Sequence, residues 1–152
     1  MTNIQFRSVG LTLLASALLA GCGAMLPAND KSHLVTFTTQ MRGGNEVPPV
    51  TTSANGQVDA VFNTDTNLLR WKLSYMNLSG PARAGHFQGP AAIGANAGVA
   101  LPFPGLMGSP MEGSATLTAA QAADLVAGRW YANIHTAANP GGEIRGQMTL
   151  RR

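Results

Sequence analysis

At 152 residues, 45% hydrophobic and 11% charged, with 18 Gly and 9 Pro, the chain has the length of one domain and the make-up of a turn-rich globular protein with little helix. Its formal charge of +3 is scattered, with no basic run longer than Arg151-Arg152, which excludes the clustered Lys/Arg footprint of nucleic-acid binding. A single cysteine, Cys22, excludes an intramolecular disulfide.

The first stretch, "MTNIQFRSVGLTLLASALLAGC", has a short polar start with Arg7, an apolar core from Val9 to Leu19 and then small residues. That is secretory signal architecture, too short for a membrane span. Leu19-Ala20-Gly21-Cys22 resembles the lipobox of bacterial lipoproteins, in which the cysteine is lipidated and becomes the first mature residue. An unpaired thiol in an exported protein calls for an explanation, and a thioether to diacylglycerol supplies one. Several acyl chains then hold the protein to the bilayer, at about 0.8 kcal/mol per buried methylene. The expected division is a lipoprotein signal peptide over residues 1–21, a lipidated tether over 22–32 and a folded domain over 33–152. Gly23, rather than Asp, after the cysteine directs the expectation to the outer membrane of a Gram-negative bacterium.

Beyond the aperiodic tether the dominant period is two. "HLVTFTTQM" puts Val35, Phe37 and Met41 on one face, and "GQVDAVF" does the same for Val58, Ala60 and Phe62. In "LLRWKLSYMNL", Leu69, Trp71, Leu73 and Tyr75 alternate with Arg70, Lys72 and Ser74. "GSATLT" and "RWYANIHT" continue the pattern, and "EIRGQMTL" closes it with Ile144, Met148 and Leu150 inward. Turns are expected at Asn55-Gly56, Asp65-Thr66-Asn67, Ser79-Gly80-Pro81 and Asn139-Pro140-Gly141-Gly142, the last as a type II turn. One helix fits "AAQAADLVAG", with Thr118 as its cap, Gln121 completing a capping box and Gly128 at its end. Residues 89–110, rich in Gly and Pro yet holding Leu101, Phe103, Leu106 and Met107, read as a loop covering the sheet. The sum is about seven or eight strands and one short helix, an all-β antiparallel sandwich or Greek-key barrel.

Three blocks carry a family resemblance. "NEVPPV" at 45–50, "AGHFQGPA" at 84–91 and "AGRWYANIHTAANPGGEIRGQM" resemble the signature segments of the chordin-domain (CHRD) family, common in bacterial secreted proteins. The resemblance spans about Leu34 to Leu150 and implies an immunoglobulin-like or superoxide-dismutase-like β-barrel, without implying an established activity. In the second block many members read His-x-His, where this chain has His86-Phe87-Gln88. Residues two apart in a strand share a face, so Gln88 removes one imidazole of a same-face pair.

The candidate site residues follow from these blocks. Tyr131, Asn133 and His135 share a parity, as do Glu143, Arg145 and Gln147, so across a hairpin they could interlock through hydrogen bonds and a Glu143–Arg145 pair, or form a binding surface. Glu46 poses the same choice, as a loop carboxylate bonding backbone amides or pairing with an Arg. His86 and His135 could meet and hold copper or zinc if their strands pair. No Gly-x-Ser-x-Gly, no Cys–His pair and no close catalytic carboxylates are present, so no catalytic residue is assigned. The expectation is a non-catalytic envelope lipoprotein without a cofactor, its partners the membrane through Cys22 and an envelope protein. The alternative is a copper- or zinc-binding protein with dismutase-like redox chemistry.

Overall fold

The computed structural model describes residues 33–105 and 108–151. The expected signal peptide, Cys22 and the expected tether lie outside the described residues, as do Leu106 and Met107 of the covering loop. Nine antiparallel strands and one helix account for the described fold. They are β1 (Leu34–Arg42), β2 (Asn55–Asn63), β3 (Leu68–Met76), β4 (Ala82–Gln88), β5 (Val99–Pro102), β6 (Met111–Thr116), β7 (Tyr131–Thr136), β8 (Ile144–Gln147) and β9 (Thr149–Leu150), with α1 (Ala119–Val126) between β6 and β7. The strands form one sheet in the order β5-β4-β7-β8-β1-β2-β3-β6, and β9 also pairs with β1. The all-β expectation with one short helix therefore holds.

Period-two alternation builds one continuous core. Phe37 and Met41 from β1, Val58, Ala60 and Phe62 from β2, and Leu69, Trp71 and Leu73 from β3 are all buried. The far half of the sheet answers with Phe87, Trp130, Ala132, Ile134, Ile144 and Met148. Trp71 on β3 meets Phe87 on β4 edge-to-face, with ring centroids 5.4 Å apart, although several strands separate them in the sheet order. Such a contact requires the sheet to curl on itself, giving a half-barrel whose open ends are β5 and β6. Phe103 enters from the loop after β5, 4.8 Å from Phe87, and Leu125 of α1 is fully buried in the same core. Among the described residues of the covering segment, which includes strand β5, Phe103 is buried in the core with Ala100 and Leu101 packed against it, while Ile93 stays 81% exposed.

The helix is built as its sequence implies. Thr118 Oγ1 accepts from the Gln121 amide, the Gln121 side chain accepts from the Thr118 amide, and Gly128 leaves the helix with φ +70°.

Three local readings need correction. Asn55-Gly56 is not a turn but the start of β2, and Gly56 serves close packing, since a Cβ there would lie 2.6 Å from Met41 Cε. The reversal is made instead by the segment after β1, beginning with a 3-10 turn at Gly43–Asn45. In the 139–142 turn the Gly142 amide does bond the Asn139 carbonyl, but φ is positive at Gly142 and not at Gly141, so it is not type II. Leu150 pairs with Phe37 yet is 52% exposed, because β9 has two residues and pairs only with β1.

Trp71 links the two halves of the curl and lies across Gly113, its partner on β6, where a Cβ would overlap the indole. Trp71→Ala should lower stability by about 3–5 kcal/mol, read from urea unfolding midpoints, with Trp130→Phe much milder. An unchanged midpoint for Trp71→Ala would contradict this packing.

Candidate functional site

β7 and β8 are buried on both faces. Ala132, Ile134 and Ile144 point into the apolar core, which leaves the opposite parity to Tyr131, Asn133 and His135 on β7 and Arg145 and Gln147 on β8. Register sets Tyr131 against Gln147 and Asn133 against Arg145. Two loops fold over this polar face, one around Glu46 and one over residues 90–98, so Tyr131, Asn133 and Arg145 are each at most 2% exposed.

Each buried polar group there grips one of those loops or the hairpin. The Arg145 guanidinium stacks on Tyr131, its carbon 3.4 Å from the ring centroid, and donates to Asn96 Oδ1 at 2.9 Å and the Ala95 carbonyl at 2.5 Å. The Tyr131 hydroxyl accepts from the Ala97 amide, and Asn96 Nδ2 donates to the Val47 carbonyl, which joins the two loops to each other. Gln147 Nε2 donates to the carbonyls of Ala91 and Gly128. Asn133 Nδ2 donates to Glu46 Oε1 at 2.8 Å, while its own Oδ1 is buried without a protein partner. Gly142 is required beside them. Its φ of +133° suits only glycine, and a Cβ there would lie 2.6 Å from Glu46 Oε1.

Glu143 and Arg145 do not form the pair expected from their spacing; no such contact occurs among the described ion pairs. Arg145 is committed to the loop, and Glu143 lies just before β8, where other donors reach it. Thr52 Oγ1 and the Ser79 amide donate to its Oε1, and the Ser79 and Thr136 hydroxyls donate to its Oε2. Burial alone would raise its pKa. The hydroxyls of Ser79 and Thr136, the Ser79 amide and the Thr52 hydroxyl outweigh that and hold it down to about 2. Glu46 goes the other way. Burial pushes it up to about 7, against the smaller opposing pulls of Arg145 and of the Asn133 hydrogen bond. It bonds a side-chain amide rather than the backbone amides or arginine partner expected of it.

His86 and His135 do meet. His86 Nδ1 lies 3.2 Å from His135 Nε2, and His135 Nδ1 lies 2.9 Å from the Pro140 carbonyl oxygen. The carbonyl can only accept, so Nδ1 of His135 carries a proton, and in the neutral imidazole its Nε2 then faces His86 with a lone pair. Burial, then the neighbouring His135, lowers the His86 pKa. Gln88 stands opposite Tyr131, on the side of His86 away from His135. No group of three or more His, Cys, Asp or Glu side chains suited to a metal occurs among the described residues.

The CHRD domain profile matches residues 37–148, a span that includes every strand of the polar layer. The chain belongs to the CHRD domain family. No curated protein and no solved structure matches it. All three signature blocks of this CHRD domain converge on the polar face: the first supplies Glu46, the second His86 and the third the β7–β8 hairpin. Thr52, Ser79, Thr136 and Asn96 complete the layer and were not singled out in the sequence as site residues. Three of them are common hydroxyl residues, and the Glu143 contacts to Ser79 and Thr52 span 64 and 91 positions, so no local spacing marks them.

The two buried carboxylates predict opposite pH effects. Glu143 is more acidic folded, about 2 against an ordinary 4.5, so its contribution is present above pH 4.5 and lost as pH falls towards 2. Glu143→Gln should cost about 1.5–3 kcal/mol at pH 7, with the deficit closing towards pH 2. Glu46, raised to about 7, contributes stability present below pH 4.5 and lost as pH rises through about 7. Glu46→Gln should therefore flatten the stability profile between those values and be no less stable than the parent at pH 8. Urea midpoints across pH check both, and a Glu46→Gln profile parallel to the parent would refute the second.

Proposed function

We propose that this chain is a lipid-anchored envelope protein whose CHRD domain serves as a non-catalytic binding or structural module. The observation that carries the binding role is the use made of the signature residues. Arg145, Tyr131, Asn133 and Asn96 are engaged in fixing two loops against the sheet, which leaves recognition to what those loops present. Between them lies a cleft of about 500 Å³ with Glu46, Arg145 and Gln147 among its lining and Val47 and Ile93 contributing exposed apolar surface. Exposed apolar side chains at the rim of a polar-floored cleft would offer a partner protein apolar contact beside polar groups. The anchor is argued from Leu19-Ala20-Gly21-Cys22 and the apolar segment before it, which supply the lipidation signal and a reason for the lone thiol. Its expected home is the outer membrane. The alternative, a copper- or zinc-binding domain, draws on a separate observation, the meeting of His86 with His135, and does not depend on the loop surface.

Cys22→Ala should abolish incorporation of labelled fatty acid and move the domain from the membrane pellet to the soluble fraction. A variant that still pellets after a carbonate wash would rule out the lipid anchor. For the binding role, Ile93→Asp should leave the melting temperature unchanged, since the side chain is 81% exposed. A photo-crosslinker at position 93 should give a discrete adduct in intact envelopes, and solvent-quenched probe alone would count against the loop surface.

A further inference from the structure

We infer that His86 Nδ1 and His135 Nε2 form a two-imidazole chelate for a single divalent transition-metal ion, with Cu²⁺ the preferred occupant. This rests on the metal-binding alternative and goes beyond it by naming the donor atoms, the open positions and the ion.

The distance fits a shared ion. Two nitrogens bound at about 2.0–2.1 Å, and subtending roughly a right or tetrahedral angle, stand about 2.9–3.4 Å apart. The observed separation is 3.2 Å. With the lone pair of His135 Nε2 turned towards it, His86 Nδ1 holds a proton in the hydrogen-bonded pair, and this proton passes through solvent to His86 Nε2 when the ion binds. The rings are inclined at 66° rather than stacked. Orientation of one donor is already set: the Nδ1–H of His135 is held on the Pro140 carbonyl, which turns Nε2 towards His86. Metal-bound histidines are steadied in this way, by a carbonyl or carboxylate on the second ring nitrogen. The Pro140 carbonyl is itself placed by the turn that Gly142 closes onto Asn139.

The pair comes from two strands, not one. Ala84 stands opposite His135 and His86 opposite Asn133, so the imidazoles are diagonal neighbours across β4 and β7. Gln88 lies two residues further along β4, opposite Tyr131 and beyond His86 from His135, so the identity of residue 88 does not bear on the pair. Both rings are half-buried, which leaves the remaining coordination positions to water. With two imidazoles and no third His, Cys, Asp or Glu at hand among the described residues, affinity should follow the general order of the divalent metals, in which Cu²⁺ stands above Zn²⁺.

The test is copper(II) sulfate titrated into the full chain, purified in detergent without chelators or a histidine tag, and followed by calorimetry and electron paramagnetic resonance. One Cu²⁺ per chain with nitrogen hyperfine structure from two imidazoles is expected, weakened about tenfold or more in His86→Ala and in His135→Ala and unchanged in His33→Ala. Ala84→His should tighten binding, because residue 84 shares the face and lies beside both donors, whereas Gln88→His should not. That gain does not depend on whether the alanine variants fold. Stoichiometric copper that survives both single alanine changes, or tightens with Gln88→His but not Ala84→His, would overturn the two-histidine site and leave a metal-binding domain with other ligands. No uptake by the parent chain would overturn both.

Discussion

One buried carboxylate organises an end of this domain. Glu143 has no exposed surface, and an ionised group in that position is tolerable only where donors replace its lost water. It receives four hydrogen bonds, two on each oxygen, from the segment after β1, the segment after β3 and the end of β7. Thr52 and Ser79 are 91 and 64 positions from Glu143 in sequence. Their common acceptor fixes how the β1–β2 and β3–β4 connections lie relative to the β7–β8 hairpin. The same hairpin then carries the rest of the polar layer, so the placement of Arg145, Asn133 and His135 depends on it.

The layer explains why strands so short are buried on both sides. β8 has four residues, yet it packs Ile144 into an aromatic and aliphatic core on one face and holds Arg145 under a loop on the other. Hydrophobic contact supplies the first face without much direction. The second face is directional throughout: a planar guanidinium on a tyrosine ring, an amide on a carboxylate, and backbone amides and carbonyls taken up by side chains. A register slip of one residue would exchange the two faces and bury Arg145 in the core, so the polar layer selects one pairing among the otherwise similar ones. The residual oddity is Asn133, whose Oδ1 is buried without a protein partner beside a carboxylate raised to about 7.

These features separate scaffold from surface. Glu46, Asn133 and Arg145 are internal, whereas Val47 and Ile93 beside them are exposed and the histidine pair is half-buried. In this chain those internal side chains hold the loops at 46–47 and 90–98 against the sheet.

The period-two strands, the apolar face of β1 to β3, the capped helix and the family were legible in the amino-acid order, because each depends on residues within a few positions of one another or on a contiguous motif. The sequence also singled out His86, His135, Glu46 and the hairpin residues as candidate site residues. Only the tertiary structure decided who partners whom. Spacing placed Glu143 and Arg145 two apart and suggested a pair, but Thr52 and Ser79, far away in the chain, claim the carboxylate, and the loop at Ala95 and Asn96 claims the arginine. Likewise the sequence left open whether His86 and His135 meet, and the register of β4 on β7 brings their ring nitrogens to 3.2 Å. Local sequence fixes which face a side chain takes; the long-range pairing of strands and loops, set by burial of the whole chain, fixes what that face meets.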